Sequence, residues 1–193
     1  MMLSEGMTAA VMTVRKARMG DIDRLMALIN GYAREGIMLP RNEFELSESI
    51  RDFTVLTEGG NLVGCAALHF YGPTLAEVRS LAVDPAAKGK GAGHLLMDAL
   101  EREAREFDLE ALFAFTYVVG FFQKMGYLEV SRGDLPLKAW KDCLRCPKFQ
   151  ACDEIAVVKR LKPGETLASL SSSPEDRLVP LPVPHDHALV KLV

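Results

Sequence analysis

The sequence predicts an α/β (α+β) fold in which helices flank a mixed sheet, and three observations carry that expectation. Segments with a two-residue apolar alternation are interleaved with segments of helical period. A glycine-rich turn runs directly from a strand-like segment into the longest amphipathic stretch. The chain has 193 residues, 49% of them hydrophobic and 25% charged, a composition that builds one soluble domain with a substantial core.

The elements follow in order. Val11 to Ala17 alternates as a strand, and Asp21 is placed to cap a helix whose apolar residues Ile22, Leu25, Met26, Ile29 and Tyr32 share one face. A short helix, Glu43 to Ile50, follows the turn at Pro40. Phe53 to Thr57, the turn Glu58-Gly59-Gly60-Asn61 and Leu62 to Phe70 form a β-hairpin pattern. Gly72-Pro73 interrupts the chain before a strand from Glu77 to Val83. The turn Ala87 to Gly93 then opens a helix with Leu95, Leu96, Ala99, Leu100, Ala104 and Phe107 on its apolar face. Ala111 to Thr116 reads as a buried strand, Val118 to Met125 as a short helix, Gly126-Tyr127 as the start of a strand, and Glu154 to Arg160 as the closing strand. The predicted order is β-α-α-β-β-β-α-β-α-β-β. Residues 1–11 form an N-terminal extension, 12–161 the domain, and 162–193 a tail whose Pro- and Ser-containing composition has no period.

Charge and hydropathy exclude several functions. The formal net charge of −3 provides no electrostatic footprint for nucleic acid. No apolar run approaches the roughly 20 residues of a membrane span, and the first residues lack the charged and apolar blocks of a signal peptide. The expected location is the cytoplasm, where Cys65, Cys143, Cys146 and Cys152 are thiols rather than disulfides. Cys143-x-x-Cys146 followed by Cys152 supplies three of the four ligands a structural zinc takes, and Cys65, Asp153, His185 or His187 completes the set only by folding close. The reading preferred over that alternative is thiols shaping the substrate-side loop, with no metal required.

The segment EVRSLAVDPAAKGKGAGHLLMDAL, Glu77 to Leu100, carries the chemistry. Gly89, Gly91 and Gly93 let the backbone turn tightly and approach a ligand. A helix beginning there presents unpaired amides and partial positive charge, the requirements of a phosphate site, with Lys88 and Lys90 adding full charges. The spacing is neither Gly-x-Gly-x-x-Gly nor the Walker pattern.

It resembles instead the pyrophosphate loop of the GNAT acetyltransferases, Arg/Gln-x-x-Gly-x-Gly/Ala, with Lys88 in the first position and Gly91 and Gly93 after it. FFQKMGY, Phe121 to Tyr127, resembles the helix-to-strand junction of the same superfamily. Phe122 stands where many members have the Tyr that protonates the departing thiolate, which leaves Tyr117, water or unaided departure for that step. LPLKAWKDCLRCPKFQACDEIAVV, Leu135 to Val158, with LPRNEFEL near Arg41 and EVRSLAV near Glu77, resembles the short stand-alone N-acetylglutamate synthases of bacteria. The resemblance spans about residues 12 to 160 and implies a mostly antiparallel sheet. Its implied activity is acetyl-CoA-dependent acetylation of the α-amine of L-glutamate, the first step of arginine biosynthesis. L-Glutamine, another small amine, or a non-catalytic acetyl-CoA sensor remain alternatives. Acetyl-CoA is the implied co-substrate and a small amino acid the implied partner; a homodimer is left open.

The resemblance also implies site residues. Glu77 is the general base, acting through water. Leu81, Ala82, Val83, Lys88, Gly89, Lys90, Gly91, Ala92, Gly93, His94 and Phe122 contact the cofactor, an amide between Leu81 and Val83 holding the oxyanion. Arg41, then Arg79, bind the substrate's carboxylates through their planar guanidinium groups, and Thr116 contacts substrate or pantetheine. His69 and His94 are otherwise read as structural.

Overall fold

The structure, a computed structural model, describes residues 11–135, 146, 148 and 151–162. Most of the expected extension and tail, and Cys143, lie outside the described residues. The elements are β1 (Met12–Lys16), α1 (Ile22–Arg34), α2 (Glu43–Glu48), β2 (Phe53–Glu58), β3 (Asn61–Phe70), β4 (Leu75–Val83), α3 (Ala92–Glu106), β5 (Ala111–Thr116), α4 (Val119–Lys124), β6 (Leu128–Val130) and β7 (Ile155–Arg160). The described strands form a sheet in the order β1-β2-β3-β4-β5-β7-β6. Every pairing is antiparallel except β4 with β5.

Helices cover both faces. On one, α3 buries Leu96, Met97, Leu100 and Ala104 against Leu56, Leu68, Ala76, Val78, Leu112 and Val157. On the other, α1 packs Leu25, Ile29 and Tyr32 against Val55, Cys65 and Ala67. The same face continues past β4 as a cluster of Leu75, Phe113, Ala156 and Val158. Alternation along each strand therefore divides the sheet between two cores, as the pleat requires.

Three expectations need correction. Asp21 does not cap α1 through its side chain. Its carboxylate instead takes both Arg15 nitrogens, at 2.7 and 2.8 Å, and the Arg18 amide at 2.8 Å, because a bidentate guanidinium outcompetes a single helix amide. Phe107 lies beyond the last turn of α3, 60% exposed, with its edge against Phe70. β4 begins at Leu75, paired with Ala111, so Glu77 lies inside the strand rather than at its start.

Candidate active site

The parallel β4–β5 pair sets the geometry. It is hydrogen-bonded over only three positions, ending at Glu77 opposite Phe113, although β4 continues to Val83 and β5 to Thr116. Past that point the strands part. The gap opens into a cavity of about 400 Å³, lined by Arg41 and the loop after α1, by Glu77 to Leu81, by Phe115 to Val118, and by Phe122, Arg132, Lys148 and Glu154. An interrupted parallel pair thus provides a slot between two strands without breaking either core.

A bulge in β4 re-aims the slot's wall. Cys65 pairs with Ala82 and Ala67 with Arg79, so the single residue Ala66 faces both Ser80 and Leu81. Ser80 adopts φ +49°, a left-handed conformation that costs a non-glycine residue of order 1–3 kcal/mol. The extra residue inverts the alternation. Ala82, rather than Leu81, returns to the α1 side, while Leu81 and Val83 turn toward α3. Glu77 and Arg79, two residues apart before the bulge, share a face.

That shared face answers how Arg79 is oriented. Its Nε donates to Glu77 Oε2 at 2.6 Å, its terminal nitrogen donates to the Tyr71 hydroxyl at 2.8 Å, and that hydroxyl donates to the same Glu77 oxygen at 3.0 Å. The triangle holds the Glu77 carboxylate in one orientation. Both charged side chains are nearly buried, with 12% of Arg79 and 11% of Glu77 exposed. Arg41 reaches the cavity from the loop after α1. Asn30 clamps its backbone, accepting from its amide and donating to its carbonyl, each at 2.9 Å. Thr116 is buried at the end of β5, its hydroxyl oxygen accepting the Val118 amide at 2.9 Å.

The glycine turn lies at the end of β4. Asp84 closes it by accepting the Ala86 amide at 2.8 Å. Gly89 and Gly91 have φ of +77° and +83°, where a side chain would be strained. Gly93 is there for a different reason: a Cβ would stand 3.2 Å from the Phe121 ring. The first bond inside α3 runs from the Leu95 amide to the Gly91 carbonyl, so the amides of Ala92, Gly93 and His94 are the ones a helix leaves for an outside acceptor. Lys88 lies over the Tyr32 ring at 4.9 Å, Lys90 is 3.8 Å from Glu58, and His94 meets the Phe121 ring edge-on. The Tyr32 hydroxyl beside it raises the Lys88 ammonium above its ordinary range.

Phe122 is 3% exposed and packs edge-to-face on Phe121 and Tyr127 while lining the cavity. Tyr117 also lines it, but its hydroxyl donates to Asp153 at 2.7 Å and accepts from Lys148 at 3.1 Å. Burial, the first cause, raises the Tyr117 phenol. Cys146 and Cys152 are half-buried at the cavity wall, whereas Cys65 is buried in the core beneath the bulge. Among the described residues no group of three His, Cys, Asp or Glu side chains could hold a metal ion.

Sequence reasoning passed over Tyr71, Arg132, Lys148 and Glu154. Tyr71 belongs to a tight β3–β4 connection, its amide bonded to the Leu75 carbonyl. Glu154 was counted within the closing strand, which begins one residue later. Burial raises its carboxyl above the usual range, against the lowering charge of Arg132 and with the added charge of Glu77. A single sequence offers no signal for either; the fold brings Tyr71 to Glu77 through its hydroxyl, and the parting of β4 and β5 opens the cavity that Glu154 lines.

The model of the Acetyltransferase (GNAT) family matches residues 23–127, more than half the chain. An uncharacterized N-acetyltransferase of Chlorobaculum tepidum, CT2212, is 45% identical over 155 residues, covering 80% of this chain and all of that protein. An amino-acid acetyltransferase of Mycobacterium tuberculosis is 38% identical over 120 residues, 61% of this chain and 68% of its own. Among solved structures, N-acetylglutamate synthase of Neisseria gonorrhoeae, complexed with coenzyme A and N-acetyl-glutamate, superimposes with a TM-score of 0.72 at 32% identity. That alignment covers 79% of this chain but only 36% of the gonococcal one. Rv2747 of M. tuberculosis, in complex with CoA, gives a TM-score of 0.69 at 29% identity over 78% of this chain and 99% of its own. With the parted parallel strands, the β4 bulge and the glycine turn before α3 in one domain, the chain belongs to the GNAT family of acetyltransferases.

Proposed function

We propose that this acetyltransferase transfers the acetyl group of acetyl-CoA to the α-amine of L-glutamate by direct attack, the first step of arginine biosynthesis, in the cytoplasm. The observation that carries this reading is the convergence, on one cavity, of a nearly buried carboxylate, two arginines and the slot between β4 and β5. The N-terminus of α3 stands at the far end of β4. The relatives supply its chemical class, since those with a stated substrate are amino-acid acetyltransferases.

In this reading the diphosphate of acetyl-CoA rests on the amides of Gly89 to His94, with Lys88 and Lys90 turning from Tyr32 and Glu58 to meet it. The pantetheine runs in the slot past Leu81, Ala82, Val83 and Phe122. Amides of the bulged segment face the thioester carbonyl and stabilise the oxyanion that forms there. An amino acid presents an ammonium at neutral pH, so a proton must leave before nitrogen attacks. Glu77, oriented by Arg79 and Tyr71, receives it through water. Arg41 binds the substrate's carboxylates, Arg79 gives a second guanidinium beside the base, and Thr116 lies where β5 meets the thioester.

Thiol release from acetyl-CoA, measured against a panel of amino acids, tests the reading. Turnover with L-glutamate above the others supports it. Turnover with L-glutamine alone reassigns the substrate, and tight CoA binding without turnover on any amine indicates a sensor. Glu77→Gln keeps CoA affinity and lowers kcat sharply, while Arg41→Ala raises KM for the amino acid. Unchanged turnover in the first variant, or a rise confined to the acetyl-CoA KM in the second, removes that residue from its role.

A further inference from the structure

The reaction takes two protons from nitrogen and gives one to sulfur, and Glu77 accounts only for those that leave nitrogen. An ammonium that becomes an amide nitrogen sheds two hydrogens, and the sulfur leaving the acetyl carbon takes one. As the C–N bond forms and the C–S bond breaks, something must supply the sulfur's proton. Phe122, in the position the superfamily resemblance would give to that donor, has no hydroxyl. The Tyr117 hydroxyl already donates to Asp153. The Thr116 oxygen accepts the Val118 amide and keeps its own proton, but an alcohol is a far weaker acid than the thiol it would form.

Glu154 remains. It immediately precedes β7, whose first residue pairs with Thr116 at the end of β5. Ala156 and Val158, two and four residues on, share a core with Leu75 and Phe113. By strand alternation Glu154 therefore lies on the sheet face that carries Glu77, on the opposite side of β5 from it. Both residues line the one cavity.

Their surroundings differ. Glu77 accepts from a guanidinium and a phenol, which stabilises a negative charge. Arg132 donates to the backbone carbonyl of Glu154, not to its carboxylate. Among the described residues, the group donating to the Glu154 carboxylate is the Cys152 thiol, at 3.9 Å. Two acids in one site with opposed environments mark an acid–base pair.

We propose that Glu154 is a second catalytic residue, the proton donor to the sulfur of coenzyme A as it departs. Resting on the reading that Glu77 is the base, the cycle balances. Glu77 passes both nitrogen protons to solvent in turn, one before attack and one as the C–S bond breaks, the acetyl carbon exchanges sulfur for nitrogen, and Glu154 protonates the thiolate and is reprotonated from solvent. One proton per turnover is released. Burial raises the proton affinity of Glu154; the Arg132 and Lys148 charges oppose it and the Glu77 and Asp153 charges add to it, and the net rise favours the form the role requires.

The experiment is the pH dependence of kcat for wild type, Glu154→Gln, Glu154→Asp and Glu77→Gln, using whichever amino acid of the panel the wild type turns over best. A donor must be protonated, so its limb is the alkaline one; a base must be ionised, so its limb is the acidic one. Glu154→Gln is expected to lower kcat roughly tenfold to a hundredfold, the low end of acid catalysis because a thiolate leaves readily. It should also flatten the alkaline limb and leave KM for both substrates and CoA affinity by calorimetry unchanged. Glu154→Asp should restore part of kcat with the limb. An unchanged kcat profile in Glu154→Gln overturns the proposal, as does a rise confined to the amino acid's KM. Equal losses in Glu154→Gln and Glu154→Asp, accompanied by a lowered melting temperature, also overturn it, because the role is then structural. Glu77→Gln with its acidic limb intact refutes the base assignment separately, whichever way the Glu154 variants fall.

Discussion

Replacing the two charges at the head of the slot, singly and together, measures how strongly the site depends on the Glu77–Arg79 pair. Only 12% and 11% of these side chains are exposed, and their contacting atoms are 2.6 Å apart. At the effective dielectric of a protein site, unit charges at about 4 Å attract by roughly 4 kcal/mol before desolvation is subtracted. Removing one partner of a buried pair leaves the other charge uncompensated and costs about 3–5 kcal/mol. Because the cavity admits water on one side, Glu77→Gln and Arg79→Met should each cost about 3 kcal/mol. The double variant retains neither charge of the pair, so it should cost less than either single one, giving a coupling above about 3 kcal/mol. Urea unfolding of the four proteins reads these differences directly, and each single change should lower the melting temperature by roughly 6–12 °C at 2–4 °C per kcal/mol. Single costs that add within about 0.5 kcal/mol would show two independent residues and refute the pair as the element that orients the carboxylate.

Three further outcomes follow from local physics. Gly91→Ala places a side chain at φ +83° with no atom within 4 Å to clash, so its cost of about 1–2 kcal/mol is conformational; CoA affinity by calorimetry should fall with the melting temperature, and unchanged affinity would separate the turn from the diphosphate. Tyr127→Phe removes a buried hydroxyl that has no partner among the described residues, and should stabilise the fold by about 1–2 kcal/mol in urea unfolding. The Arg15 guanidinium holds Asp21 below the usual carboxylate range; its stabilisation is complete above the unfolded aspartate value of about 3.9 and is lost as pH falls through the lowered folded value. Asp21→Asn should therefore destabilise at pH 7 and converge with wild type in strongly acidic unfolding curves, and a gap that persists there would assign the effect to packing.

Much of the fold could be read in one dimension because its determinants are local. The apolar spacing of Leu25 and Ile29 foretold the buried stripe of α1, and Leu96, Leu100 and Ala104 that of α3. The same reasoning overreached at Phe107, where the helical period ran on past the residue at which α3 stops. Leu95, 40% exposed, lies at the margin of the predicted stripe. The glycine turn was legible because two of its positions require positive φ, a property of the residue itself.

The sequence by itself determined the order of elements, the family likeness and the position of Glu77 within a strand that leads through the glycine turn into α3, since each depends on neighbours a few residues apart. Tertiary structure alone decided what surrounds Glu77. The register of β3 on β4 put the bulge at Ser80, and the bulge left Arg79 on the face of Glu77 while returning Ala82 to the α1 side. The parting of β4 from β5 opened the cavity to Glu154, which lies 77 positions further along the chain. Register, bulges and strand separation are set by two cores competing for the same pleated backbone, and that competition has no counterpart in any single stretch of residues.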